Sequence, residues 1–140
     1  MIAVDGESSR GPLDWGTATA DAVTYPETTQ SGRRRVFCLT LSDPEPDKPG
    51  DPSLWSATVD ALAVGTDIVR QGEDLQLLSL PDPNSARLIV VAAGNVRKYD
   101  DDYRTNCVNS PIHDPAQAWN ALTVGAFTRF AQLQIGRAHV

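Results

Sequence analysis

The sequence predicts an α/β fold built on a mainly parallel sheet, and three observations carry that prediction. Two short apolar runs rich in branched residues, Val36-Phe37-Cys38-Leu39-Thr40-Leu41 and Leu88-Ile89-Val90-Val91-Ala92-Ala93, are each bounded by turn-forming residues. Between them Trp55, Val59, Leu62 and Ala63 recur at helical spacing. A further run, Ala121-Leu122-Thr123-Val124-Gly125-Ala126-Phe127, follows the second. Strand, helix, strand and strand again is the rhythm of a sheet whose neighbours run the same way, because a helix returns the chain to the starting edge.

Each element has its own local reason. The first ~30 residues are polar, with Gly, Ser and Thr spread through them. Within them the Ala/Thr-rich stretch Thr17 to Val23 predicts a short helix. Arg33-Arg34-Arg35 leads from Gly32 into the first strand, expected to be mostly buried. The triplet suits a phosphate or nucleic-acid patch, but in an acidic chain it is expected to be a solvated approach to the strand. Asp43 to Pro52 holds four prolines and four acidic residues, which forbids regular structure and makes it a surface loop. At its end Asp51 or Ser53 can cap a helix, with Pro52 suited to a first helical position. The apolar stripe reads as core packing, with Ser56 and Asp60 off that face and Gly65 as terminator. Thr66 to Ala86 has no clear period; it carries Leu75, Leu77, Leu78 and Leu80 and ends in a Pro81-Asp82-Pro83-Asn84 turn. The continuous Leu88–Ala93 run predicts a central strand covered on both faces. Val96 to Asp114 reads as a polar loop, and Asp114 to Trp119 as a short helical turn.

Composition narrows the function. Among 140 residues, 12 Lys and Arg against 18 Asp and Glu leave a formal charge of -6, which argues against nucleic acid and anionic membranes as partners. The longest clean apolar run, Leu88 to Ala93, is far short of the ~20 residues that a bilayer span needs. The start of the chain lacks the basic and apolar stretches of a signal peptide, so a cytoplasmic location is expected. Cys38 on an apolar strand reads as a buried small hydrophobe, and Cys107 in a polar loop is not expected to pair with it. Asp100-Asp101-Asp102 offers oxygens to calcium, yet the run lacks the spacing of a calcium loop and reads as solvated. His113 is expected to be a surface or loop histidine, not a base served by its neighbour Asp114, and Asp5 a loop residue.

Chemistry in open α/β sheets gathers at the carboxyl ends of the strands. Here those ends are Thr40-Leu41-Ser42 and Ala93-Gly94-Asn95. Small residues let another backbone approach, and the asparagine can present amide donors to a developing oxyanion, as acyl transfer requires. The same Gly94-Asn95 pair also suits a plain turn, since both residues tolerate left-handed backbone.

The run Leu88 to Asn95, ending Ala92-Ala93-Gly94-Asn95, resembles the subtilisin-like serine peptidases, the subtilases. Val36 to Ser42 is similar to that family's cleft strand, Trp55 to Gly65 to the connecting helix, and Ala118 to Ala126 to its Val-Gly-Ala strand. The order and spacing of all four agree over about Arg35 to Thr128. The resemblance implies a three-layer α/β/α fold, incomplete in this chain, and a serine endopeptidase working through an acyl-enzyme. It implies that Asn95 is an oxyanion donor, that Thr40, Leu41 and Ser42 line the substrate cleft, and that Ala93 and Gly94 border the primary specificity pocket. It implies a polypeptide substrate and no cofactor; calcium, where the wider domain binds it, has no assignable ligands here. Thr40 and Ser42 depart from the family's usual Ser and Gly, which leaves the pocket's shape open.

The family's Asp-Thr/Ser-Gly, His-Gly-Thr and Gly-Thr-Ser-Met-Ala motifs are not in the sequence. The expectation is therefore a partial catalytic domain over residues 1–134, inactive by itself. A non-catalytic α/β binding module or pseudoenzyme of the same fold is the alternative. A Rossmann-like domain ranks below both, for no Gly-x-Gly-x-x-Gly follows a strand. Ile135-Gly136-Arg137-Ala138-His139-Val140 reads as the translation of a common sequencing adapter and is set apart from the fold.

Overall fold

The computed structural model describes residues 12–43, 50–71, 74–95 and 108–126. Its main sheet has three strands, β1 (Val36–Leu39), β4 (Leu88–Ala92) and β5 (Leu122–Val124), in the order β1-β4-β5. Both pairings are parallel, as predicted, with Phe37 opposite Ile89, Leu39 opposite Val91, and Val91 opposite Thr123. A separate antiparallel hairpin joins β2 (Ile68–Gln71) to β3 (Asp74–Leu77).

Helix α2 (Leu54–Ala63) makes the crossover from β1 toward β4. Ser53 is its cap: the Ser53 hydroxyl accepts from the Ser56 backbone N–H at 2.9 Å, and the Ser53 N–H donates to Ser56 Oγ at 2.8 Å. This reciprocal pair satisfies two donors that every helix start leaves open. It also explains why Ser56, expected off the packed face, is buried. The stripe Trp55, Val59, Leu62 and Ala63 is buried as predicted and meets Ile89 and Val91 in the core. Gly65 stands just past the helix with φ of 85°, the left-handed backbone that glycine adopts without a Cβ penalty.

Helix α1 (Pro12–Thr29) is much longer than the short helix expected over Thr17 to Val23. It is held by α2. The Trp15 and Trp55 rings stack with centroids 5.5 Å apart, and Trp55 Nε1 donates to Thr19 Oγ1 at 2.8 Å. Tertiary packing, more than helix propensity, sustains such a threonine-rich segment.

Three burial expectations are corrected. Alternate residues of a strand face opposite sides, and only one side of this sheet is covered among the described residues. Ile89 and Val91 are buried, whereas Leu88, Val36, Leu122 and Val124 on the other side are each at least half exposed. The first strand is thus not mostly buried, and β4 is central but covered on one face. Cys38 points to the open side and is an exposed free thiol, not a buried hydrophobe. Thr66 to Ala86 resolves into the hairpin and a short 3-10 turn (Pro83–Ser85), the latter capped by Asp82 as the Pro-Asp-Pro-Asn pattern suggests. The hairpin's Val69 and Leu77 are exposed, so no burial pattern announces it in the sequence. No helix among the described residues is long and apolar enough to cross a membrane.

Candidate functional site

Because β1 and β4 are parallel neighbours, their carboxyl ends emerge at one edge. Pairing closes at Leu39 opposite Val91, and Thr40-Leu41-Ser42 and Ala93-Gly94-Asn95 leave side by side. Thr40 and Leu41 are exposed, Ser42, Ala93 and Gly94 are half-buried, and Asn95 is exposed. The Ala93 N–H donates to the Val124 carbonyl at 2.9 Å, which carries the β4–β5 ladder one residue further. Gly94 then turns the chain with φ of 107°. A Cβ there would lie 2.3 Å from His113 Cγ, so both backbone conformation and space demand glycine. The turn delivers Asn95 to the solvent edge, and no described hydrogen bond ties its side-chain amide.

The residues that brace this edge come from far along the chain. The His113 N–H donates to the Ala93 carbonyl at 2.9 Å, and the Asp43 N–H to the Asp114 carbonyl at 2.8 Å. Asp43 and Asp114 form an antiparallel bridge, and the Asp114–Pro115 peptide is cis. A tight turn follows, with Ala116 N–H donating to the His113 carbonyl and Ala118 N–H to that of Pro115, in line with the short helical turn expected there. His113–Asp114 is therefore a strap across the exits of β1 and β4.

The strap's side chains continue the bracing. His113 Nδ1 lies 3.5 Å from Ser42 Oγ and 3.5 Å from the Asn95 backbone nitrogen. A backbone N–H only donates, so in the contact with Asn95 the Nδ1 atom is the acceptor. Asp114 is buried, and its Oδ1 accepts from the hydroxyl of Ser53, the cap of α2. Burial pushes the Asp114 carboxyl above the usual carboxylate range; the Ser53 hydrogen bond pulls it back, and the nearby charge of Asp43 raises it further.

One sequence expectation changes here. His113 lies in a loop but is not at the surface; it is 8% exposed, packed on Gly94 and shared between the two strand ends. Its burial was not legible because a separation of 18 in sequence conceals how close Asn95 and His113 come in space. The Asp114 carboxylate turns toward α2, where its Oδ1 accepts from the Ser53 hydroxyl. Asp114 itself, as a buried link from the site to α2, escaped the sequence reading. Asp5, Asp100-Asp101-Asp102, Cys107 and Ile135 to Val140 lie outside the described residues. Among the described residues no group of three or more His, Cys, Asp or Glu gathers where it could hold a metal ion.

A family model of the subtilases, peptidase family S8, matches residues 2–136. No curated protein and no solved structure matches the chain. The family match runs through α1, the β1-α2-β4 unit and β5, and so takes in both strand exits and the strap between them. With a parallel sheet whose strands end in the expected order at one edge, the chain belongs to the subtilase family of serine peptidases.

Proposed function

We propose that this chain is part of the catalytic domain of a serine endopeptidase and supplies the oxyanion side of its cleft. The observation that carries the proposal is the emergence of Asn95 at the same sheet edge as Thr40-Leu41-Ser42 in a chain of the subtilase family. In the reaction a serine hydroxyl attacks the scissile carbonyl, a histidine takes the proton, and an aspartate orients that histidine. Those three groups come from elsewhere in the domain. Negative charge then builds on the former carbonyl oxygen, and a donor fixed in advance stabilises it without reorganisation. The Asn95 amide is that donor. It is exposed and makes no hydrogen bond among the described residues, while its backbone is held by the turn at Gly94 and by His113.

Thr40, Leu41 and Ser42 offer the backbone of an open strand end to an extended substrate, the way strand addition recognises peptides. Ala93 and Gly94 border the pocket for the side chain next to the scissile bond. Treatment of the full-length protein with a fluorophosphonate probe tests the assignment. Covalent labelling of a single serine, abolished by prior denaturation, is the expected result. A complete, folded protein that resists labelling belongs instead to the non-catalytic reading of the same fold.

A further inference from the structure

Opposite the strand exits, the amino ends of β1 and β4 frame a cavity that the catalytic reading does not use. It has a volume of about 530 Å³ and is walled by the end of α1, the approach to β1 and the 3-10 turn before β4. Arg33, Arg34, Arg35 and Arg87 line it, with Glu27 as the sole carboxylate among the described lining residues.

The four guanidiniums are not equivalent. Arg87 is committed: its Nε and Nη2 donate to the two Glu27 oxygens at 2.8 Å, and Nη1 donates to the Leu62 carbonyl at 2.9 Å. Burial and the adjoining Glu27 oppose each other at Arg87, and the hydrogen-bonded carboxylate prevails, holding the guanidinium firmly charged. Arg35 is pinned by backbone carbonyls, donating to Arg33 O at 3.0 Å and to Gln30 O. Carbonyls orient it without cancelling its charge. Arg33 and Arg34 are exposed, and their side chains make no described hydrogen bond. Among the described residues the ion pair of Glu27 and Arg87 is the only one, so three guanidinium charges stand together without a counter-charge. In a chain of net charge -6 this is a local reversal of sign.

We propose that the cavity is an exosite for an acidic stretch of a polypeptide. Guanidinium forks match carboxylates two hydrogen bonds at a time. The volume exceeds what one carboxylate fills and suits several in succession. Among the described residues no aromatic side chain lines the cavity to stack a base, and a long polyanion would meet the repulsion of the acidic remainder of the chain. The five residues of β4 separate this mouth from the strand exits by roughly 17 Å. A peptide held here would therefore engage the chain at a point remote from the bond being cut. This rests on the reading of a polypeptide substrate, but its test involves no turnover, so either idea can fail while the other stands.

The test is fluorescence anisotropy of the full-length protein with labelled hexaglutamate, with hexaglutamine and pyrophosphate as separate ligands. Hexaglutamate is expected to bind at low salt, hexaglutamine not to bind, and the double variant R33Q/R34Q to weaken hexaglutamate binding at least about tenfold. Both substituted side chains are exposed and untied, so the variant is expected to keep the wild-type circular dichroism. Undiminished binding in the double variant, or no binding of hexaglutamate at low salt, would overturn the proposal. Pyrophosphate binding more tightly than the peptide would also overturn it, in favour of a small-anion site.

Discussion

At Gly94 two constraints coincide: a backbone with φ of 107°, and the His113 ring where a Cβ would be. We predict that Gly94→Ala destabilises the fold by about 1–3 kcal/mol from backbone strain, with the clash added. Adding His113→Gly, which removes the Cβ as well as the ring, should return the clash component and leave the strain, which denaturant titration of the single and double variants would resolve. Asp114 makes a second prediction. Its carboxyl is raised by burial, so the folded state binds the proton more tightly than the unfolded state. Its contribution therefore favours folding at low pH and is lost as pH climbs from the ordinary carboxylate range through the raised value. Asp114→Asn keeps an oxygen for the Ser53 hydroxyl and removes the charge. The stability difference between variant and wild type should then shift toward the variant as pH rises through that window, measured as Tm against pH. A difference that stays flat would mean that Asp114 titrates alike in both states.

At the scale of elements, Ser53 does two jobs, capping α2 and holding Asp114. Ser53→Ala should cost about 1–2 kcal/mol, read by thermal unfolding, with the upper end expected because a buried carboxyl also loses its partner. Helix α2 was legible in the sequence because cap, stripe and terminal glycine all agree locally. Helix α1 was only partly legible, since its extent depends on Trp15 stacking on Trp55, a contact between elements far apart in sequence. The strand exits could be read from Ala92-Ala93-Gly94-Asn95, a dense local pattern. The strap could not: its effect on Ser42 and Asn95 comes from residues brought back across a long connection, and no spacing in the sequence encodes that return.

Over the molecule as a whole, burial among the described residues is one-sided. The helices and Ile89, Val91, Phe37 and Leu39 make one core, and the opposite sheet face carries exposed Val36, Leu88, Leu122 and Val124 around the Cys38 thiol. Leu88 and its neighbours promised cover on both sides because continuous apolar strands usually have it. Native Cys38 should react with a small thiol reagent at a rate close to that in denaturant, and Cys38→Ser should remove that fast phase; slow reaction would mean that the face is covered. The proposed chemistry depends on the edge where β1 and β4 end. Its most direct test is the steady-state kinetics of Asn95→Ala in the full-length enzyme. An oxyanion donor acts in the transition state, so kcat should fall about 10²–10³-fold, the loss known for removing such a donor from a subtilisin, with KM little changed. An unchanged kcat, or a loss expressed through KM alone, would contradict the role assigned to Asn95.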